Sequence, residues 1–276
     1  MSLQLAALAS GSNGNCYYIG NEKEAVLVDV GISAREVERR MKRLSLDPLR
    51  IRAIFISHEH TDHICGLQVF SKRHQVPVYI TPSTLSNSRL KIDRSLLRNF
   101  TTSEPVSIGN ISVIAFSKLH DAIDPYSFII QYQDTRVGVF TDIGMPCQQV
   151  VKHFSQCHAA FLETNYDEEM LMNGSYPFHL KRRISSERGH LSNKQALELF
   201  RRHRPSYMSH LVLSHLSKNN NCPQLVQELF TQHAEGVNMI VASRYEPTAL
   251  YQLSTNTSHI LPLAQANIPL QMELSF

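Results

Sequence analysis

The chain is 276 residues long, 42% hydrophobic and 18% charged, with a formal net charge of +3; this excludes a disordered or fibrous chain, and the charge is too mild to argue for nucleic-acid binding by itself. Its five cysteines, at 16, 65, 147, 157 and 222, contain no CxxC pair, which argues against a disulfide framework and a thiolate zinc site. The amino terminus has no basic stretch followed by an apolar one, and no apolar run is long enough to cross a bilayer, so the expectation is one domain over 1–276, soluble and cytoplasmic, with no membrane role.

In chain order, apolar and β-branched runs at 3–8 and 25–28 read as strands, and a helical pattern follows at 34–44. A strand at 51–56, a helix at 67–74 and a strand at 76–80 come next. Three strands then lie close together at 111–116, 127–132 and 137–140, followed by a helix at 148–154, a strand at 159–162, a helix at 193–203, a strand at 211–213 and a helix at 223–233. Adjacent strands early and alternation later favour an α/β sandwich of sheets covered by helices. The tail at 254–276 carries Asn, Thr, Ser and Pro among a few apolar residues and reads as a terminal strand or a loose arm.

The informative feature is what stands after each strand. The run at 25–28 meets Asp29, that at 51–56 leads through Ser57 to His58, that at 111–116 leads to His120, that at 137–140 to Asp142, and that at 211–213 to His215. Strand carboxyl ends are where loops converge and ligands bind in α/β sheets, so these residues can meet in space. The densest cluster is His58-Glu59-His60-Thr61-Asp62-His63, four candidate ligands in six residues on a loop leaving a strand. Imidazole with carboxylate suits zinc, manganese or iron, whereas magnesium would take oxygen almost alone. His120, Asp142 and His215 would each be ordinary loop residues in isolation. As strand-end partners of a dense motif they become candidate ligands.

The order Asp29, then HxHxDH, then His120, Asp142 and His215 resembles the motif series of the metallo-β-lactamase superfamily over most of the chain. Within it, the runs at 10–15, Tyr176-Pro177 with 180–184, 189–193 and 214–220 resemble the YycJ/WalJ-type branch. The resemblance implies an αββα four-layer sandwich and a metal-dependent hydrolase, a phosphodiesterase acting on nucleic acid and described as a 5′ to 3′ exonuclease on DNA. It also implies two divalent metal ions, Zn2+ or Mn2+. His58, His60 and His120 would hold one; Asp62, His63 and His215 would hold the other, with Asp142 between them. Asp29 would orient a ligand histidine without touching metal. His190, in Gly189-His190-Leu191-Ser192-Asn193, is similar to the histidine that ribonuclease Z places beside the scissile phosphate, which implies a proton donor; a core or capping histidine is the plainer reading.

Phosphodiester hydrolysis needs a hydroxide and neutralisation of charge, and two metals supply both by lowering the pKa of a shared water toward about 7. Asp62 would orient that water or take its proton, and His190 would protonate the departing oxygen. Lys181, Arg182 and Arg183, a basic run shortly before His190, form a candidate phosphate rim or a solvated surface run. The small polar loop at 10–15, with Ser12 and Asn15, suits close approach to phosphate or is simply a turn between strands. A small-molecule phosphodiesterase or a thioester hydrolase would use the same metals. A metal-free structural subunit would be expected to lose ligands, and every candidate ligand is intact. No obligate protein partner is readable.

Overall fold

Strands that are apolar on both faces need cover on both sides, and the fold supplies it in layers. The computed structural model describes residues 2–253; the expectation of a terminal strand or loose arm at 254–276 lies outside the described residues. The first sheet is laid down by β1 (Leu3–Ala9), β2 (Cys16–Gly20), β3 (Ala25–Val28), β4 (Ile51–Phe55), β5 (Val78–Tyr79) and β6 (Leu97–Arg98). The second is laid down by β7 (Pro105–Ile108), β8 (Ile111–Ser117), β9 (Tyr126–Tyr132), β10 (Thr135–Phe140), β11 (Ala159–Glu163), β12 (His210–Ser214) and β13 (Asn238–Val241). The chain then returns to the first sheet as β14 (Tyr251–Leu253), giving the orders β14-β1-β2-β3-β4-β5-β6 and β13-β12-β11-β10-β9-β8-β7.

Nine helices occur among the described residues: α1 (Ala34–Arg43), α2 (Thr61–Ile64), α3 (Leu67–His74), α4 (Pro82–Asn87), α5 (Gln148–Phe154), α6 (Glu168–Asn173), α7 (Phe178–Ile184), α8 (Asn193–His203) and α9 (Pro223–Thr231). Between the sheets, Leu5, Tyr17, Val28 and Phe55 pack against Val113, Phe128, Val139 and Phe161. The outer face of the first sheet is covered by Val37 and Met41 of α1 and by Leu67 and Phe70 of α3, against Leu27 and Ile54. The outer face of the second is covered by α5, α8 and α9 through Val150, Phe154, Phe200 and Phe230, against Phe140, Leu162 and Leu213. The layers are therefore helix, sheet, sheet, helix, as the sequence led one to expect.

Both sheets mix pairings in the same way. In the first, β1, β2 and β3 pair antiparallel and β3 to β6 parallel. In the second, β7 to β10 pair antiparallel and β10 to β13 parallel. Strands β1, β3 and β4 thus run one way, as do β8, β10, β11 and β12 in their own sheet. Each candidate ligand follows the carboxyl end of one of these strands. The strands absent from the expected set are mostly short edge pieces, and α7 buries none of its residues, so it has no apolar stripe to announce it.

Loops at this edge are held by backbone contacts. Asn15 donates its amide to the Asp62 carbonyl at 2.8 Å, Val30 donates to the His63 carbonyl at 2.9 Å, and Gly31 donates to the Asn15 carbonyl at 2.8 Å. The approach is close enough that a Cβ on Gly31 would stand 1.6 Å from the Asp62 carbonyl oxygen. Gly31→Ala must therefore displace the HxHxDH loop. The expected result is a loss of about 1–3 kcal/mol in denaturant unfolding of the metal-free protein, with reduced metal content; wild-type stability and metal content together would show that the loop adapts freely.

Candidate metal centre

The HxHxDH run leaves β4 and enters α2, so its four side chains fan out from one short turn. His58, His60 and His120 converge: His60 Nδ1 lies 3.0 Å from His58 Nε2 and 3.4 Å from His120 Nε2. Three imidazole nitrogens facing one another cannot all be satisfied by hydrogen bonds among themselves, and a cation takes all three. Asp62, His63 and His215 form a second group, with Asp62 Oδ2 at 3.5 Å from both His63 Nε2 and His215 Nε2. Asp142 stands between the groups. One oxygen is 3.1 Å from His63 Nε2, and the other is 3.5 Å from His215 Nε2 and 3.8 Å from His120 Nε2. Its Oδ2 is buried without a hydrogen bond in proper geometry, as a carboxylate aimed at a cation would be.

For His58, His63, His120 and His215 the far nitrogen has a partner that fixes which nitrogen faces inward. His63 Nδ1 donates to Asp29 at 2.7 Å. Asp29 also accepts from the Ser57 hydroxyl at 2.8 Å, and that hydroxyl accepts from His58 Nδ1 at 2.9 Å. One buried carboxylate thus orients two imidazoles, one directly and one through Ser57. His120 Nδ1 donates to the Gly189 carbonyl at 3.0 Å, and His215 Nδ1 donates to Glu163 at 2.9 Å. Asp29, Asp142 and His215 all have left-handed backbone, with φ of 61°, 53° and 58°, a conformation that non-glycine residues adopt rarely and mostly where surrounding contacts enforce it.

The charges here are strongly coupled. Burial works against an ionised Asp142, but His215 and His63 outweigh it and hold its carboxyl well below the usual range. Burial works equally against protonated His63, yet Asp142, Asp62 and Asp29 hold that imidazole well above its ordinary value. His215 is likewise pushed up to about 10, its burial outweighed by Asp142, Asp62 and Glu163. By contrast burial pushes His58 well down, and pulls His120 to about 4. Carboxylates that draw protons onto neighbouring imidazoles call for positive charge, which divalent ions would supply. Lys118 is buried nearby and donates to the Thr141 carbonyl at 2.5 Å.

His58, His60, Asp62, His63, His120, Asp142 and His215 are thus brought together, and Asp29 supports them from behind. His190 reaches the same cluster: its Nδ1 donates to Glu163 at 2.8 Å, and its ring centroid is 5.3 Å from that of His215. Asn15 is wholly buried rather than open to a substrate; its side-chain amide donates to Asp62 Oδ2 at 3.2 Å. Ser12 is exposed on the same loop. The basic run divides. Arg183 pairs with Asp121, whose other oxygen is 3.3 Å from His120 Nε2. Lys181 instead donates to the Met172 carbonyl at 2.7 Å and Arg182 lies over the Phe178 ring, so neither makes a described contact with the cluster.

Glu163 is the residue that sequence reasoning missed. It is fully buried and accepts from His190, from His215 and from the amides of Ile143 and Leu191, at 2.8, 2.9, 2.6 and 3.2 Å. Burial opposes its charge, but His190 and His215 hold its pKa down at about 2. The signal was present, because Glu163 ends β11 just as Asp142 follows β10.

The family model of the metallo-beta-lactamase superfamily matches residues 9–172. The exodeoxyribonuclease YycJ of Bacillus anthracis is 31% identical over 251 residues, covering 89% of this chain and 94% of that protein. The exodeoxyribonuclease WalJ of Streptococcus pneumoniae serotype 2 (strain D39) is 32% identical over 230 residues, covering 82% of this chain and 86% of that protein. Among solved structures, the metallo-beta-lactamase fold protein YhfI from Bacillus subtilis superposes with a TM-score of 0.70 at 12% identity, covering 91% of this chain and all of that one. That last likeness concerns the fold alone.

Asp29→Asn keeps a residue that tolerates left-handed backbone but removes the charge that polarises His63 and, through Ser57, His58. Metal affinity should fall about 10–100-fold, read by competition with a chromogenic chelator. Unchanged affinity would remove Asp29 from the support of the ligand set.

Proposed function

The chain belongs to the metallo-beta-lactamase superfamily, and from that premise we propose that it is a two-metal phosphodiesterase acting on nucleic acid, a 5′ to 3′ exonuclease on DNA. The observation that carries the nucleic-acid reading is its likeness, over 82–89% of its length, to relatives named as exodeoxyribonucleases. The donor set fits two divalent cations, zinc or manganese. His58, His60 and His120 would hold one, Asp62, His63 and His215 the other, and Asp142 both. Such ions supply Lewis acidity, making water acidic near neutral pH and drawing charge from phosphate oxygens.

The chain's own residues do the rest. Asp62 keeps its carboxylate ionised: burial opposes this, but His63 and His215 lower its pKa. Its side chain is 23% exposed, so it can hold water in line with a phosphate or take that water's proton. His190 is 20% exposed. With Nδ1 donating to Glu163, its Nε2 would be the nitrogen that donates a proton to the departing oxygen. Glu163 carries the charge that balances His190 when it is protonated, and the amides of Ile143 and Leu191 hold that carboxylate in place. No helix of the described residues is long and apolar enough to cross a membrane.

The first experiment is hydrolysis of 5′-labelled DNA by purified, metal-analysed protein with added zinc or manganese, beside bis-p-nitrophenyl phosphate. Release of nucleotides from DNA, absent in Asp142→Ala, is expected; cleavage of the small ester alone would move the substrate to a small molecule. Normal turnover and normal metal content in Asp142→Ala would overturn the two-metal arrangement. His190→Ala should keep its metal and lose about 10²–10⁴-fold in kcat; loss of metal instead would make His190 a ligand.

A further inference from the structure

A pocket of about 340 Å³ opens beside the metal centre, within the range of small-ligand sites. Leu216 and Lys218 of the loop after β12, Pro223 at the start of α9, and Arg244 and Tyr245 of the loop after β13 line it, together with Ser10. Ser10 belongs to the centre as well, because its hydroxyl accepts from the His215 amide at 2.7 Å. No carboxylate is among the described residues that line the pocket.

Arg244 is the informative side chain. Its Nη1 donates to Asn13 Oδ1 at 3.0 Å and its Nη2 donates to the Leu216 carbonyl at 2.6 Å. Both acceptors are neutral, and among the described residues no carboxylate pairs with it, whereas Arg40, Arg43, Arg183 and Arg204 each have one. Burial draws its pKa below the ordinary arginine value. A half-buried guanidinium without a counter-charge is costly until an anion arrives. Gly11 makes room for it: a Cβ there would stand 3.3 Å from the guanidinium carbon, at a φ of 145°. Lys218 is exposed at the same pocket, and Tyr245 is 64% exposed beside it. Asn219 holds the adjoining loop by donating to the Tyr176 hydroxyl at 3.0 Å. Two cations without carboxylate partners and one aromatic face without a ring contact, among the described residues, form the recognition set for a nucleotide, phosphate on the cations and base on the ring.

We propose that this pocket seats the 5′-terminal nucleotide of the substrate strand, with Arg244 and Lys218 on its phosphate and Tyr245 against its base; the choice of strand end rests on the exonuclease reading above. A terminal phosphate monoester carries about −2 charge at neutral pH, against one per internal diester. Cations lacking carboxylate partners, close to the scissile position, therefore distinguish an end from an interior stretch.

The test has two arms. In the first, calorimetry on the metal-loaded protein compares thymidine 5′-monophosphate with thymidine. The nucleotide should bind and the nucleoside should not, with affinity about tenfold or more lower in Arg244→Gln and in Lys218→Gln. Because Lys218 is exposed, the second variant stays informative if loss of the Asn13 and Leu216 contacts unfolds the first. Equal nucleotide affinity in wild type and Lys218→Gln, and in any folded Arg244→Gln, overturns the pocket. In the second arm, the ratio of degradation rates on 5′-phosphorylated and 5′-hydroxyl DNA should exceed about ten in wild type and fall toward one in either variant; a ratio of one in wild type likewise overturns it. Nucleotide binding that depends on these residues, in a protein that degrades no DNA, would support the pocket and overturn the exonuclease reading, so the two failures are told apart.

Discussion

Four buried or largely buried carboxylates, Asp29, Asp62, Asp142 and Glu163, meet six imidazoles at the edge where two apolar sheets end. Such a cluster is stable only if its charge is met by opposite charge at short range. Without cations the protein meets it with protons, which is why His63 and His215 are pushed up while their neighbours His58 and His120 are pushed down. On the proposed reading, two divalent cations would carry four positive charges, matching four carboxylates without protonating either imidazole. The same constraint accounts for the supporting contacts. A histidine with its outer nitrogen left free could turn away, and Asp29, Ser57, Gly189 and Glu163 prevent that for His63, His58, His120 and His215.

Rigidity comes from what lies behind the cluster. Asp29, Asp142 and His215 each follow the end of a central strand and turn at once into left-handed backbone, a conformation costing about 1–3 kcal/mol per residue where it is not favoured. Each is held by a specific bond: the Asp29 amide by the Phe55 carbonyl, the residue after Asp142 by Glu163, the His215 amide by the Ser10 hydroxyl. The strands beneath are anchored in the core between the sheets and in the two cores under the helices. Local strain at the centre is therefore offset by burial elsewhere, which is where a functional site on a stable scaffold is expected to store it.

The layered fold was legible because strands buried on both faces read as apolar runs, and α1, α3, α5 and α8 end within a residue of where their periodicity ends. The edge strands β6 and β7 were not legible, since only the end of β7 is buried. The candidate ligand cluster was legible as a cluster because imidazoles and acids recur after strands in an order that a known family shares. Glu163 obeyed the same rule and was passed over because the strand before it was ended one residue early. Asn15 and the basic run show the opposite limit. Residue type suggested contact with phosphate, but only the folded chain shows that Asn15 is buried against Asp62 and that Lys181 and Arg182 are engaged by Met172 and Phe178. Partners that decide how a polar side chain is used are far away in sequence, so local pattern cannot reveal them.

Exposure divides the labour within the centre. His58, His63, Asp142 and Glu163 have side chains no more than 3% exposed, while Asp62 and His190 keep 23% and 20% of theirs open. A group that only holds a cation gains from dryness, because low dielectric strengthens every charge contact it makes. A group that handles a proton must meet water and substrate, so some exposure is needed. Asp62 and His190 are each tethered to a buried group, Asp62 to Asn15 and His190 to Glu163. On the proposed reading, the two side chains whose direction would matter most to proton transfer are thus both oriented by buried partners.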